Sequence, residues 1–343
     1  MSSIKKILLS LILVPSLIFI SIGYYSFQKL NEHYVASDSI FQVKPGEGFS
    51  SVNARLLNEN LISSARIFHR YTQFTNKMGS LKTGTYNIPK DSSMIDVLTI
   101  ITEGVPILTK VTIPEGKNMY EIAKIFSEKG FGKYENFIKL FRDQNIIQEM
   151  TKNAPSVEGY LFPDTYLLSP NSTEKEITSI LLREFDKQTS NIDFTHDFLS
   201  KHQIIILASI VEKETGAKWE RPLIAGVYLN RLKKNMRLQA DPTTIYGIWE
   251  NYKGNLSRKH LLEKTDYNTY KMNGLPLGPI ASPSLAAIKA VLNPDEHNYI
   301  YFVSKNDGTH VFTSTYKEHL AAVEYWQKNK RNRNGKSWRD LKQ

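Results

Sequence analysis

Residues 204–216, IIILASIVEKETG, form a short and strongly apolar segment that ends in two glutamates and a glycine. The apolar run predicts a helix, and the glycine after it predicts where that helix ends. On a period of 3.6 residues, Glu214 falls on the same stripe as Leu207 and Val211. Glu214 therefore continues the buried face of the helix, whereas Glu212 lies on another side and is expected to meet water.

A carboxyl group on an apolar stripe resists ionisation, because removal from water disfavours the charged form. If it stays protonated near neutral pH, it can act as a general acid. The alternative is a structural glutamate that reaches solvent or pairs with one of the many Lys and Arg residues. Structural ion pairs also perturb carboxyl groups, so the periodicity alone favours the structural role for Glu214.

Residues 7–25 are almost continuously apolar and uncharged, and Lys5 and Lys6 precede them. A run of this length can cross a bilayer as a helix, and the flanking lysines favour a cytoplasmic N-terminus. A cleaved signal peptide is the alternative, because Ser21 and Gly23 are small residues at a suitable spacing. The run is longer than the usual signal core and ends in aromatic residues, so the sequence predicts an uncleaved membrane anchor.

The net charge of +10 does not indicate a nucleic-acid-binding protein. Half of it lies in residues 317–343, where eight Lys and Arg stand against three Asp and Glu, and the body of the chain has no basic stripe. There are no cysteines, and the eight histidines lack the spacing of a metal site. The sequence therefore predicts no metal, no cofactor and no nucleic-acid partner.

One local pattern occurs three times between residues 40 and 152. The segments 41–56, 86–101 and 111–126 each predict a strand that ends at a proline, a polar turn and an amphipathic helix. The first copy, with VKPGEGFSSV, resembles the opening of LysM modules, which bind glycan chains. This part of the chain is therefore predicted to be a small, LysM-like α+β region.

The following part of the chain alternates helices with loops rich in turn residues, hydroxyls and amides, as binding loops often are. A hairpin is predicted near its end, with Asn306, Asp307 and Gly308 at the turn. The predicted fold class is α+β. The expected order is an N-terminal membrane anchor (1–30), a linker (31–39), the strand-turn-helix region (40–152), a mixed α/β domain with a C-terminal hairpin (153–328) and a basic tail (329–343).

Five strings resemble the endolytic murein transglycosylases of bacteria, the MltG or YceG-like family. They follow the family order and extend over nearly the whole chain after the apolar run, which makes them more specific than one short motif. The strings are VEGYLFPDTY (157–166), ASIVEKETG (208–216), MRLQADPTTIYG (236–247), YNTYKMNGLPLGPIASPS (267–284) and FVSKNDGTHVFTSTYKEH (302–319).

The resemblance implies an enzyme anchored in the cytoplasmic (inner) membrane, with its catalytic domain on the extracytoplasmic side. Such an enzyme cleaves the MurNAc–GlcNAc β-1,4 bond within peptidoglycan strands without water, leaves 1,6-anhydroMurNAc ends and terminates nascent strands. The anchor and the tail are compatible with contacts to peptidoglycan synthesis enzymes. The resemblance also implies that the second glutamate of the E-K-E-T string, Glu214, is catalytic. This is the glutamate that the periodicity places on the buried face in preference to Glu212.

Other polar residues of these strings are candidates for substrate contacts. Glu158, Gln239 and Asn268 are each as consistent with a scaffold as with a binding cleft. Asp241 precedes Pro242 and is expected to cap a short helix. Substrate-binding candidates are Glu158, Gln239, Asp241, Asn268, Thr269 and Tyr270.

Two other functions are consistent with the same residues. The first is a membrane-tethered peptidoglycan-binding or assembly factor in which Glu214 is structural. The second is a muramidase-type hydrolase, which needs a second carboxyl group about 5–9 Å from Glu214. Glu158 and Asp241 are the candidates for that second group.

Overall fold

The computed structural model describes the backbone of residues 3–148 and 154–329, and the side chains of those residues from position 13 onward. The chain forms two compact units, residues 1–109 with 167–171, and residues 110–166 with 172–343. Helices predominate and the strands are short, so the α+β class is confirmed. The domain boundary predicted at 152–153 lies outside the described residues, as do residues 330–343 of the predicted basic tail.

The first unit begins with a long helix and continues with strands and shorter helices. Its core contains side chains with no exposed surface, among them Phe41, Phe68 and Ile88. Strands β1 and β2 are antiparallel, and Phe41 lies opposite Tyr86. The elements are α1 (Ser3–Asn31), β1 (Ser39–Val43), α2 (Phe49–Asn58), α3 (Ala65–Phe74), β2 (Gly84–Ile88) and α4 (Met94–Glu103).

Further elements follow along the chain and include all those that form the candidate site. They are β3 (Thr109–Thr112), α5 (Met119–Glu128), α6 (Tyr134–Phe141), α7 (Gln144–Ile147), β4 (Thr165–Leu168), α8 (Glu174–Thr189), α9 (Lys201–Glu214), α10 (Arg221–Lys233), α11 (Asp241–Gly247), α12 (Arg258–Leu262), α13 (Leu285–Leu292), β5 (Tyr301–Ser304), β6 (His310–Thr313) and α14 (Tyr316–Val323). Strand β3 pairs with β4, and β5 pairs with β6 in an antiparallel hairpin.

The three predicted strand-turn-helix segments are confirmed as β1–α2, β2–α4 and β3–α5. Helices α4 and α5 begin at capping boxes, in which Ser93 pairs with Asp96 and Asn118 with Glu121. The third segment belongs to the second unit, where Phe126 of α5 stacks on Phe137 of α6 at 5.3 Å. The pattern therefore recurs in both units, and it does not mark out one domain.

Helix α9 lies at the centre of the second unit and contacts α10, α11 and α13. Every residue from Ile204 to Val211 is buried, so the helix is covered on all sides, and not on one stripe alone. Its one polar residue in this run, Ser209, donates to the Ile206 carbonyl at 2.7 Å and accepts from the Ile280 N–H at 3.0 Å. A rigid, buried helix therefore carries Glu214 at its C-terminal end.

Among the residues that the structure describes, no helix is both long and apolar enough to cross a membrane. Part of the predicted span, residues 7–12, lies outside the described side chains.

Candidate active site

Glu214 is the last residue of α9, and the backbone leaves the helix at Thr215 in an extended conformation with φ of −137°. The Thr215 hydroxyl donates to the carboxylate of Glu220 at 3.1 Å, and Glu220 has no exposed surface. Glu220 also accepts from His310 Nδ1 at 2.7 Å. The turn immediately after Glu214 is therefore fixed by buried polar contacts, which hold the end of α9 in place.

The Glu214 carboxyl group receives one strong hydrogen bond. Tyr228 of α10 is 1% exposed, and its hydroxyl donates to Glu214 Oε1 at 2.6 Å. Within the described part of the chain, the other oxygen, Oε2, has no hydrogen-bond partner. One oxygen is thus held by the protein, and the other is available to a ligand.

The environment of Glu214 raises the pKa of its carboxyl group to about 7. Removal from water is the largest cause, because Glu214 keeps only part of its surface accessible. The Tyr228 hydrogen bond and the charge of Arg231 act in the opposite direction and lower the pKa, whereas the nearby negative charge of Asp241 raises it. At neutral pH the group therefore exchanges between acid and carboxylate, as a residue that both donates and accepts a proton must.

Asp241 and Tyr270 lie near enough to this carboxyl group for charge on one group to act on the pKa of another. Asp241 is exposed in the first turn of α11, one residue inside the helix, since Ala240 occupies the capping position. The Tyr270 hydroxyl donates to Asp241 Oδ1 at 2.7 Å. Burial raises the pKa of Tyr270 most, and Asp241 and the charge of Glu214 raise it further. Of the sequence candidates, the structure therefore brings these two together with Glu214.

Gln239 lies just before α11 with an exposed side chain and a φ of +51°, a conformation uncommon for a residue other than glycine. Its backbone N–H donates to the Thr269 carbonyl at 3.2 Å. This bond fixes the segment that leads to Asp241 and leaves the Gln239 amide facing solvent. Gln239 remains a candidate for a substrate contact.

Asn268 and Thr269 were predicted as substrate contacts, but both are completely buried. The Asn268 amide donates to the carbonyl of Glu263 at 2.6 Å, and its oxygen accepts from the Thr244 hydroxyl at 3.1 Å. The Thr269 hydroxyl accepts from the Ala240 N–H at 3.0 Å. These side chains hold the loop before Tyr270 against α11, so their role is to position Tyr270 and Asp241.

Glu158 occupies a different buried position. It has no exposed surface, and its Oε2 accepts from the Met119 N–H at the start of α5 at 2.8 Å. Burial raises the pKa of Glu158 to about 8, and a hydrogen bond from Tyr246 opposes this shift. The charges that shift the pKa of Glu214 are those of Asp241 and Arg231, and Glu158 is not among them. The structure thus assigns Glu158 to the scaffold around α5 and α11.

The prediction that Glu212 meets water is wrong. Its side chain is 5% exposed and forms an ion pair at 2.6 Å with Arg221, which is equally buried. Its other oxygen accepts from the backbone N–H of Ser284 at 3.0 Å, immediately before α13. Glu212 therefore joins α9, α10 and α13, and its role is structural.

Sequence reasoning missed Tyr228 and Arg231. Arg231 is 7% exposed and donates to the carbonyls of Leu238 at 2.6 Å and Ile300 at 2.7 Å, which ties α10 to the segment before α11 and to the hairpin. Residues three apart lie on the same face of a helix, so the sequence could have indicated that Tyr228 and Arg231 point in one direction from α10.

These features describe one partly buried carboxyl group that a tyrosine supports and that is able both to donate and to accept a proton near neutral pH. Within the described residues, no three His, Asp or Glu side chains come together in a group that could hold a metal ion. The sequence profile of the YceG-like family matches residues 41–325. The chain belongs to this family.

Named relatives agree with this assignment. The endolytic murein transglycosylase of Bacillus subtilis is 30% identical over 82% of this chain and 83% of its own length. The enzyme of the same name from Streptococcus pneumoniae is 27% identical over 93% of this chain, which spans 64% of that longer protein. A crystal structure of a YceG-like protein from Listeria monocytogenes superposes with a TM-score of 0.57 at 29% identity, covering 83% of this chain and 99% of that one.

Proposed function

We propose that this protein is a lytic transglycosylase that cleaves peptidoglycan glycan strands internally, with Glu214 as both acid and base. The observation that carries the proposal is the Glu214 carboxyl group, which has a pKa of about 7 and one oxygen held by Tyr228. The names of the relatives support the substrate class.

The reaction needs one carboxyl group because no water takes part. Protonated Glu214 gives its proton to the glycosidic oxygen between MurNAc and GlcNAc as that C–O bond breaks. The resulting carboxylate accepts the proton of the MurNAc C6 hydroxyl while that oxygen bonds to the anomeric carbon, which closes the 1,6-anhydro ring and restores the acid. Intramolecular attack is favoured by effective molarities on the order of 10⁵ M or more.

The Tyr228 hydrogen bond suits both halves of this reaction. A hydrogen bond to the charged form of a carboxyl group stabilises that form. The bond at 2.6 Å therefore strengthens when Glu214 has lost its proton. Desolvation favours the protonated form before the reaction, and Tyr228 limits the energetic cost of the carboxylate after the first proton transfer.

Hydrolysis is the second candidate, and Asp241 is the observation that favours it. Its charge acts on the pKa of Glu214, so a second carboxylate lies near the acid. A hydrolase would use that carboxylate as the base for a water molecule or as the nucleophile. Asp241 is exposed and accepts a hydrogen bond from Tyr270. This contact is equally consistent with a structural role, in which Asp241 holds the loop that bears Tyr270.

Analysis of the products distinguishes these functions. Incubation of the full-length protein with purified glycan strands is expected to yield internal fragments that end in 1,6-anhydroMurNAc, identified by mass spectrometry. Reducing MurNAc ends would instead identify a hydrolase, and strand binding without cleavage would identify a binding or assembly factor.

We also propose that residues 7–25 anchor the protein in the cytoplasmic membrane with the site outside, where it terminates nascent strands. The uncharged apolar run behind Lys5 and Lys6 supports this topology. The same product assay on fractionated cells then finds the activity in the membrane pellet, and activity in the soluble fraction would exclude the anchor. Glycan binding by the LysM-like region stays a prediction from its sequence.

The pH dependence of strand cleavage should reflect Tyr228 and Asp241, which shift the pKa of Glu214 in opposite directions. Cleavage is expected to fall as the pH rises through about 7, because the protonated acid disappears. Tyr228→Phe removes a contact that lowers the pKa and should move this decline to higher pH, whereas Asp241→Asn removes a charge that raises it and should move the decline to lower pH.

Rates of fragment release between pH 5 and pH 9 measure both shifts. Tyr246→Phe is the matched control, because that tyrosine bonds to Glu158, and it should leave the midpoint unchanged. Shifts of the same sign in the Tyr228 and Asp241 variants would contradict this account of the site.

A further inference from the structure

A groove on the second unit is lined by one side of α5, the start of α6 and the segment after α11. It encloses about 830 Å³. Three aromatic side chains, Tyr120, Tyr134 and Trp249, line it and are each partly exposed. The rings of Tyr120 and Trp249 are nearly parallel, with an angle of 14° between their planes and 6.0 Å between their centres.

We propose that this groove is a distal subsite that binds the sugar chain of a glycan strand, away from the bond that is cleaved. The proposal rests on the proposed function, since it assumes that a strand occupies the site of Glu214. A subsite of this kind makes the affinity for a strand depend on the length of the strand.

Helix α11 connects the groove to the candidate active site. It contacts α9, the helix that ends at Glu214, and Tyr246 in its last turn packs on Tyr120 with 5.9 Å between ring centres. Trp249 lies two residues after the end of the helix. Seven helical residues span about 10 Å. The two sites are therefore separated by a distance that a few linked sugars can cover.

A second connection runs along the other side. Lys213, adjacent to Glu214, donates from Nζ to the carbonyl of Gly116 at 3.0 Å. The next residue, Lys117, lines the groove. Its carbonyl accepts from the Ser282 N–H at 2.8 Å, which fixes this segment. The segment that bears Lys117 is therefore held against the end of α9, and the groove and Glu214 lie on neighbouring parts of the second unit.

The chemistry of the lining fits a sugar chain. The C–H groups on the face of a pyranose ring carry partial positive charge and pack against the negative face of an aromatic ring. The Tyr120 ring is held in place by a hydrogen bond that Arg142 donates to its hydroxyl at 2.9 Å. Polar groups at the rim, the ion pair of Lys117 with Glu121 and the Ser127 hydroxyl, can exchange hydrogen bonds with sugar hydroxyls.

Peptidoglycan strands consist of a sugar chain and peptide stems. The aromatic side chains of the groove indicate the sugar chain as its ligand, whereas its charged side chains give no support for a peptide stem. Lys117 is already paired with Glu121 at 2.6 Å, and Lys124 lies 3.8 Å from Glu128. Glu135 adds a third glutamate to the lining, so the groove offers no excess of positive charge to the carboxyl groups of a peptide. Strands from which the stems have been removed should bind as well as complete strands.

Calorimetric titration of the full-length Glu214→Gln protein with stem-free strands tests the proposal, because this variant is expected not to cut them. Removing Trp249 in this background by Trp249→Ala should raise the Kd for strands of several disaccharides about tenfold, the loss expected for one ring contact. The Kd for a single disaccharide should not change. Trp249→Phe keeps an aromatic face and should retain most of the affinity.

Phe74→Ala is the matched control, because Phe74 is 89% exposed and does not line the groove. It should change neither Kd. An equal loss for long and short strands, or no loss with Trp249→Ala in a protein of unchanged Tm, would overturn the subsite. If Trp249→Ala weakened the binding of strands with peptide stems but not of stem-free strands, the groove would be a peptide-binding site instead. The products of the wild-type enzyme report on the proposed function separately.

Discussion

Replacing Glu214 by Gln is expected to lower the rate of strand cleavage by on the order of 10³-fold or more, because the amide can neither donate nor accept the proton in the reaction. The Tyr228 hydroxyl can still donate to the amide oxygen, so the geometry of the site is retained. The measurement is the rate of appearance of anhydroMurNAc ends at pH 6. Glu296→Gln, at an exposed glutamate, is the control and should keep the wild-type rate.

The same variant should be more stable than the wild type at alkaline pH. The folded state raises the pKa of Glu214 from 4.5 to about 7, so it favours the protonated form. Ionisation therefore costs stability as the pH rises through this window, and the cost is complete above about pH 7. Glutamine avoids that cost, which corresponds to roughly 3 kcal/mol for this shift.

Urea denaturation at pH 4.5 and pH 8.5 measures this difference. The two proteins should have similar free energies of unfolding at pH 4.5, and the Gln variant the larger one at pH 8.5. A structural ion pair would give the opposite sign, because Gln would then lose stability at pH 8.5. Full cleavage activity together with such a loss would remove Glu214 from the catalytic role.

Local signals in the sequence were sufficient where the cause of the structure is local. Prolines and polar turns set the three strand-turn-helix segments, and capping boxes begin two of their helices. Pro222 in the first turn marks the start of α10. Asn306 and Gly308 at the hairpin turn have φ of +63° and +86°, which few other residues adopt readily. Helical periodicity singled out Glu214, but α9 is covered on all sides and the Glu212 side chain is buried as well, so periodicity alone does not separate the two glutamates.

Long-range contacts were beyond such signals. A helical wheel places Glu212 away from Leu207, but whether another helix covers that side depends on α10 and α13. The buried amide of Asn268 belongs to a loop that has the composition of a binding loop, and only the fold shows that backbone carbonyls use its donors. The aromatic groove joins Tyr120 to Trp249 from distant parts of the chain.

Glu212→Gln is expected to destabilise the protein strongly, by about 3–5 kcal/mol, as is typical when one partner of a buried ion pair is lost. The amide would place either an N–H group or a weaker acceptor against the Arg221 guanidinium, which is 5% exposed. Among the described residues, Arg221 Nε has no hydrogen-bond partner, and the next carboxylate, Glu115, is 3.8 Å away. The positive charge would therefore stay buried without adequate compensation.

Denaturation of Glu212→Gln, Arg221→Gln and the double variant at pH 7.5 measures the pair directly. The double variant should lose less free energy of unfolding than the two single variants lose together, because it leaves no unpaired charge in the interior. Two residues further along the same helix, Glu214→Gln should have the opposite effect at this pH and stabilise the fold. A neutral effect of Glu212→Gln would mean that solvent reaches Arg221, and additive losses would mean that the two side chains do not interact. The opposite signs separate a carboxyl group that the fold needs as the partner of a buried arginine from one whose protonated form the fold favours, which is the property that a proton donor requires.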